Sequence, residues 1–183
     1  MERRWMSCGE TENLEQAAGT LVIGFGNPLR GDDGAGPALV EQLEELLLAD
    51  GVTTTTCLAA MQLTPELADD ASRYRRVVFV DASFEVLPGK ATVTRIWPRE
   101  QASALGHHMT AENLLALSQE AFGRCPEAWV AAIGVSSMEL GETLTADVAS
   151  AVERLAGHLR HWVSEWDRQD VEGLACVDVE GAV

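Results

Sequence analysis

Three short runs of almost uninterrupted apolar residues constrain the fold of this chain more than any other feature. They span residues 20–25 (TLVIGF), 76–82 (RVVFVDA) and 128–135 (AWVAAIGV). Runs of this length without polar alternation are typical of strands that are buried on both faces. Because parallel sheets are usually covered by helices on both sides, the runs predict the central strands of a mainly parallel sheet.

The segments between these runs carry helical and weaker strand patterns. A helix is predicted to begin near Gly34, with an apolar stripe formed by Leu39, Leu43, Leu46 and Leu47. The β-branched residues 52–58 predict a second strand, and residues 90–97 alternate in the way expected of a strand nearer the edge. Two further helices are predicted over residues 65–72 and from Thr110 to about Phe122.

The last predicted helix begins at Thr145, which can cap it. One face of this helix carries Val148, Ala151, Val152, Leu155, Leu159 and Trp162. Strands and helices therefore alternate, which predicts a single three-layer αβα domain of the α/β class, with a mainly parallel, mixed sheet of about five strands. We assign residues 20–168 to this domain, residues 1–19 to a loose N-terminal tail and residues 169–183 to an acidic C-terminal tail.

Charge and cysteine usage exclude several classes of protein. The formal net charge is -16 over 183 residues, which opposes binding to nucleic acid. No apolar run approaches the roughly 20 residues that cross a bilayer, and the N-terminus is too polar for a secretory signal. The four cysteines (Cys8, Cys57, Cys125 and Cys176) are far apart, which favours reduced thiols in a cytoplasmic protein.

The first candidate site lies in the glycine-rich turn after the first strand, residues 24–34 (GFGNPLRGDDG). Asp32 and Asp33 both stand where the following helix begins, a position at which aspartate is a favoured cap. Because two adjacent caps are redundant, one of the two carboxylates is available for a functional site. Leu29 occupies the third glycine position of a dinucleotide-binding fingerprint, so no organic cofactor site is predicted.

Two further segments carry candidate functional residues. Asp81 ends the second apolar run, and ligands of α/β folds gather beyond the carboxyl ends of the strands. His107 and His108 precede the helix that Thr110 caps. Two carboxylates and one imidazole form a ligand set that suits borderline divalent metals such as nickel or zinc.

The order of these three segments along the chain resembles the order of motifs in the [NiFe]-hydrogenase maturation proteases. The resemblance is carried by GFGNPLRGDDGAG, VVFVDAS and HHMTAENLLAL, supported by QLTPELAD and IGVSSMELGETLT, and it covers roughly residues 20–163. It implies a phosphorylase/hydrolase-like α/β fold. It also places the family's metal-contacting acid on Asp33, its second acid on Asp81 and its histidine on His107, with Asp32 and His108 as the neighbouring alternatives.

The resemblance implies a cytoplasmic endopeptidase that removes a short C-terminal peptide from a hydrogenase large-subunit precursor. Asp33, Asp81 and His107 would contact nickel that the precursor carries, so that the metal serves as a recognition handle. Asp33 and Asp81 are the candidate catalytic residues, since a carboxylate or the metal can activate water. The absence of a Ser-His-Asp or Cys-His pattern disfavours a serine or thiol protease.

Two other functions remain open from the residues alone. The opening GFGNP is similar to that of peptidyl-tRNA hydrolases, although the net charge of -16 opposes RNA binding. A noncatalytic nickel-binding module would use the same three residues without releasing a peptide.

Overall fold

The computed structural model describes residues 19–99 and 109–175, with side chains described up to residue 170. Its five strands are β1 (Thr20–Phe25), β2 (Thr55–Ala60), β3 (Arg76–Ser83), β4 (Ala91–Ile96) and β5 (Glu127–Gly134). Its α-helices are α1 (Ala35–Asp50), α2 (Leu67–Ser72), α3 (Ala111–Phe122) and α4 (Ala146–Ala175), and a 3-10 turn (Gly31–Gly34) precedes α1. In this part of the chain, no helix combines the length and apolarity that a bilayer span requires.

The strands form one sheet in the order β2-β1-β3-β5-β4. Four strands run parallel, and β4 lies antiparallel to β5 at one edge. The predicted α/β class and the mainly parallel, mixed, five-stranded sheet are confirmed, as is the position of β4 at an edge. The carboxyl ends of β1, β2, β3 and β5 all meet at one edge of the sheet, which we call the carboxyl edge.

Both faces of the sheet are covered by helices, which explains the uninterrupted apolar runs. Val22, Val78 and Ile133 belong to the core beneath α1 and α4. Leu21, Ile23 and Phe79 face the other way into the core formed with α2 and α3. Because successive side chains of a strand point to opposite faces, a strand between two cores must be apolar at every position.

Several local predictions differ from the structure. The second strand begins at Thr55 rather than residue 52, because Gly51 ends α1 in the left-handed conformation and the Val52 N–H bonds to the Leu47 carbonyl at 3.0 Å. On α4, Trp162 is 41% exposed, and the buried position falls to Val163 instead. The other five residues predicted for this face of α4 are buried.

The C-terminal helix continues past Gln169, the residue at which we place the start of the acidic tail. Asp170 is buried and accepts hydrogen bonds at 2.9 Å from the guanidinium groups of Arg75 and Arg76. The Arg76 guanidinium also lies 5.2 Å from the ring centre of Trp166, which stacks on Trp129. These contacts attach the C-terminal part of α4 to the start of β3 and explain why the helix continues past Gln169.

The ion pair of Asp170 leads to a stability prediction. In Asp170→Ala the buried Arg76 guanidinium loses its counter-charge, so the free energy of unfolding should fall by about 3 kcal/mol. Chemical denaturation measures this difference. The control is Asp69→Ala, which removes an exposed pair with Arg73 and should cost at most about 0.5 kcal/mol. Equal effects of the two substitutions would contradict the structural role of Asp170.

Candidate active site at the carboxyl edge

The turn after β1 has a conformation that requires glycine. Gly26 has a φ of 140°, and a Cβ atom there would lie 1.9 Å from the carbonyl oxygen of Asp33. The side chain of Asn27 accepts the Leu29 N–H at 3.0 Å, which tightens the turn further. The chain therefore folds back sharply, and the backbone of Asp33 lies directly against the end of β1.

The first turn of α1 lies unusually close to the sheet. A Cβ atom on Gly24 would be 2.2 Å from the carbonyl oxygen of Gly36, and one on Gly36 would be 2.6 Å from that of Val80. These two glycines let the helix approach the backbones of β1 and β3 directly. As a result, the 3-10 turn that carries Asp32 and Asp33 is held against the carboxyl edge.

Asp32 has a structural role that its chemistry explains fully. It is 2% exposed, and its carboxylate accepts the backbone N–H of Thr145 at 2.7 Å and the Thr145 hydroxyl at 3.1 Å. Thr145 immediately precedes α4, and its carbonyl accepts the Ala149 N–H at 2.9 Å. Asp32 therefore joins the start of α1 to the start of α4, which leaves Asp33 as the carboxylate available for a functional site.

Asp33 is partly exposed, unlike Asp32. Its Oδ2 atom accepts the backbone N–H of Asn27 at 3.1 Å, and its own N–H bonds to the Arg30 carbonyl at 3.2 Å. These bonds fix the carboxylate at the mouth of the turn while part of it remains open to solvent. Such an arrangement suits a carboxylate that binds a ligand at the carboxyl edge.

Asp81 lies on the neighbouring strand, one residue after Val80, which pairs with Gly24 of β1. Burial raises the pKa of its carboxyl from 3.8 to about 6, the Ala82 N–H opposes this, and the negative charge of Asp33 raises the pKa further. The two aspartates are therefore close enough to interact electrostatically. A partly buried carboxyl with such a pKa can hold or release a proton near neutral pH.

The structure thus brings together two of the three predicted site residues, Asp33 and Asp81. His107 and its alternative His108 lie outside the described residues. Within residues 19–99 and 109–175, no three His, Cys, Asp or Glu side chains form a metal-binding group. His158 and His161 are exposed on α4. Their helix covers a face of the sheet and takes no part in the carboxyl-edge pair.

A contact between two loops at this edge was not predicted from the sequence. The Gly31 N–H bonds to the Gly141 carbonyl at 2.7 Å, and the Gly141 N–H bonds to the Leu29 carbonyl at 3.0 Å. The Arg30 Nε donates to the Met138 carbonyl at 3.2 Å. The loop between β5 and α4 therefore pairs with the β1–α1 turn beside Asp33. Gly141 was the available signal, but a glycine in a polar loop does not reveal its partner.

Cys57 agrees with the prediction against a thiol protease. It lies inside β2, and burial followed by the charge of Glu44 raises the pKa of its thiol to about 12. A thiol with this pKa is almost entirely protonated at neutral pH, so it is a poor nucleophile.

The chain is a three-layer α/β protein with two interacting carboxyl groups at the carboxyl edge. Several solved structures are similar to its fold. One is a [NiFe] hydrogenase maturation protease HycI from Thermococcus kodakarensis KOD1, with 22% identity, a TM-score of 0.62, and coverage of 80% of this chain and 92% of that chain. A hydrogenase 2 maturation peptidase from Thaumarchaeota archaeon SCGC_AB-539-E09 has 25% identity and a TM-score of 0.55, covering 77% and 95%. The hydrogenase maturating endopeptidase HybD from E. coli has 22% identity and a TM-score of 0.60, covering 80% and 93%.

No protein-family model matches the sequence, and no curated protein sequence matches it significantly. The structural comparisons nevertheless confirm the resemblance that the motifs indicated. The chain has the fold of the [NiFe] hydrogenase maturation proteases.

The different environments of the two adjacent aspartates predict different effects on stability. Asp32→Ala leaves the partly buried Thr145 N–H without its acceptor and should lower the free energy of unfolding by about 2 kcal/mol. Asp33→Asn keeps an oxygen that can accept the Asn27 N–H and should change it by no more than about 0.5 kcal/mol. Urea denaturation of both variants tests whether Asp32 is the structural residue of the two. A larger loss of unfolding free energy in Asp33→Asn than in Asp32→Ala would reverse this assignment.

The raised pKa of Asp81 predicts a pH dependence of stability. Between its unfolded value near 3.8 and its folded value of about 6, the folded state holds a proton that the unfolded chain has released. The free energy of unfolding should therefore fall as the pH rises through this range, by an amount on the order of 1 to 2 kcal/mol. Asp81→Asn should lose this contribution. Denaturation of both proteins in chelator, at about pH 4 and about pH 7, measures it, and identical pH profiles would refute the shift.

Proposed function

We propose that the protein is an endopeptidase that removes a short C-terminal peptide from the large-subunit precursor of a [NiFe] hydrogenase. The pairing of Asp33 and Asp81 at the carboxyl edge is the observation that carries this proposal. Support comes from the structural similarity to proteins named as hydrogenase maturation proteases. The family motifs in the sequence supply the residue assignments.

Nickel belongs to the substrate in this proposal. Two carboxylates and the imidazole of His107 are donors that a borderline divalent ion accepts. They fall short of a complete coordination sphere, so they suit an ion that the precursor already holds with its own ligands. Nickel in the precursor would then report that metal insertion is finished, and bound nickel would polarise nearby oxygen atoms.

Asp81 is the residue we propose for proton transfer. As a carboxylate it can accept a proton from a water molecule that attacks the scissile carbonyl carbon. The resulting carboxylic acid can then return this proton to the departing amine when the C–N bond breaks, so that no net proton is gained or lost. Its pKa of about 6 lies close enough to neutrality for both forms to be accessible. Asp33 binds the substrate metal and raises the proton affinity of Asp81.

We further propose that the protein works in the cytoplasm, where reduced cysteines are expected. A peptidyl-tRNA hydrolase activity is not favoured. The net charge is -16, and the carboxylates Asp33 and Asp81 at the candidate site would repel the phosphate groups of RNA.

A cleavage assay tests the proposed function. The purified protein is mixed with the nickel-loaded large-subunit precursor from the same organism, and in parallel with the nickel-free precursor. Mass spectrometry should show loss of one C-terminal peptide from the nickel-loaded form alone. Asp33→Asn should abolish this cleavage while the variant remains folded, and His107→Ala should do the same.

The control variant is Asp69→Asn, which changes an aspartate on α2 whose side chain is 45% exposed and which should cleave as the wild type does. Absence of cleavage, combined with tight nickel binding by the protein alone, would instead identify a noncatalytic nickel-binding module. Full activity of Asp33→Asn would refute the role given to this carboxylate.

A further inference from the structure

Exposed apolar side chains are concentrated at the carboxyl edge. Within the described residues, nine large hydrophobic side chains are exposed, and five of them lie in loops at this edge. We call these five the apolar rim: Leu29, Met61, Phe84, Leu87 and Leu140. Each follows the carboxyl end of a parallel strand or, for Leu87, precedes the antiparallel β4 at the same edge.

Three residues of the apolar rim lie near the carboxylate pair. Leu29 lies in the turn that holds Asp33, and Phe84 follows Asp81 by three residues. The two backbone bonds of Gly141 place the Leu140 loop beside Leu29, so these leucines flank the same turn. They are 90% and 57% exposed, for Leu140 and Leu29 respectively. Leucines placed this way cost free energy in water unless a partner covers them.

The loops that bear the rim follow four adjacent strands, β2, β1, β3 and β5. Three steps between neighbouring strands span roughly 14 Å. An extended segment of about four to five residues covers such a distance. A single stretch of polypeptide can therefore contact the whole rim while it passes over the carboxylates.

Charges around the rim define the occupant further. Glu85, Glu139 and Glu142 are exposed in the loops that carry Phe84 and Leu140. Two exposed basic residues lie in the rim loops: Arg30 beside Leu29, whose Nε is bonded to the Met138 carbonyl, and Lys90 at the end of the Phe84 loop. They are outnumbered by these three glutamates and the two aspartates of the candidate site. A ligand that combines apolar side chains with flanking positive charge complements this surface.

We infer that the apolar rim is the docking surface for an extended, apolar segment of the hydrogenase large-subunit precursor, with basic flanking residues, that lies on either side of the cleaved bond. This inference rests on the proposed function. Its physical basis is continuity, because a chain whose peptide bond reaches Asp33 and Asp81 must cross the loops that bear the rim. The rim accordingly contributes to affinity for the precursor, in addition to the contact of the carboxylates with the substrate metal.

The test compares direct binding with cleavage. The double variant Leu29→Ser/Leu140→Ser is titrated with the nickel-loaded precursor by calorimetry, and its KM and kcat for cleavage are measured. Loss of two buried leucine contacts should weaken Kd and raise KM by ~tenfold or more. The change in kcat should stay within about a factor of two, because the interaction is uniform binding.

Leu48→Ser provides the matched control. Leu48 is 71% exposed near the end of α1, at the opposite edge of the sheet, so its loss should leave Kd and KM unchanged. Thermal unfolding of all variants checks that the fold is intact.

The outcomes separate the inference from the proposed function. Cleavage by the wild type with no effect of the double variant on Kd or KM would overturn the docking surface and leave the function standing. If the wild type binds the precursor through the rim but cleaves nothing, the docking surface stands and the proposed function is overturned. Failure of the wild type to bind the precursor would overturn the docking surface, and an equal effect of Leu48→Ser would do so as well.

Discussion

The buried carboxylate of Asp32 joins the N-terminal ends of the two helices that cover one face of the sheet. It satisfies the Thr145 N–H and hydroxyl, and it thereby fixes where α4 begins relative to α1. The loop that precedes α4 is then positioned to pair with the turn after β1 through Gly141. Because both loops border the candidate site, this partly buried contact and the loop–loop bonds together set the geometry of the carboxyl edge.

The neighbouring aspartates show how environment assigns roles to identical side chains. The carboxylate of Asp32 accepts hydrogen bonds from a backbone N–H and a hydroxyl group. Asp33 remains partly exposed to solvent and interacts with Asp81. Burial raises the pKa of Asp81 toward neutrality, as needed for a group that exchanges protons. The same edge exposes leucine and phenylalanine side chains around the pair. One edge of the sheet therefore combines a carboxyl group that titrates near neutral pH with exposed apolar area.

The alternation of elements and the burial of three strands could be predicted from the sequence, since a strand between two cores must be apolar at every position. The ends of the helices and strands were harder to predict from the sequence. The prediction that Trp162 is buried on α4 was wrong, because the apolar stripe drifts around a long helix. Val163 is buried instead. The continuation of α4 past Gln169 depends on Arg75 and Arg76, whose ion pairs with Asp170 connect residues 94 and 95 positions apart. Local patterns carry no signal of such pairs.

The sequence by itself determined the α/β class, the positions of Asp33 and Asp81 after their strands, and the resemblance to the maturation proteases, because these depend on periodicity and short motifs. Only the tertiary structure decided that Asp32 is structural, that Asp33 and Asp81 interact, and that exposed apolar residues from four loops share one edge. Each of these depends on which distant segments the sheet brings together. Burial and proximity determine both hydrogen bonding and pKa. Burial and proximity arise only when distant segments pack together, so no single stretch of the chain encodes them.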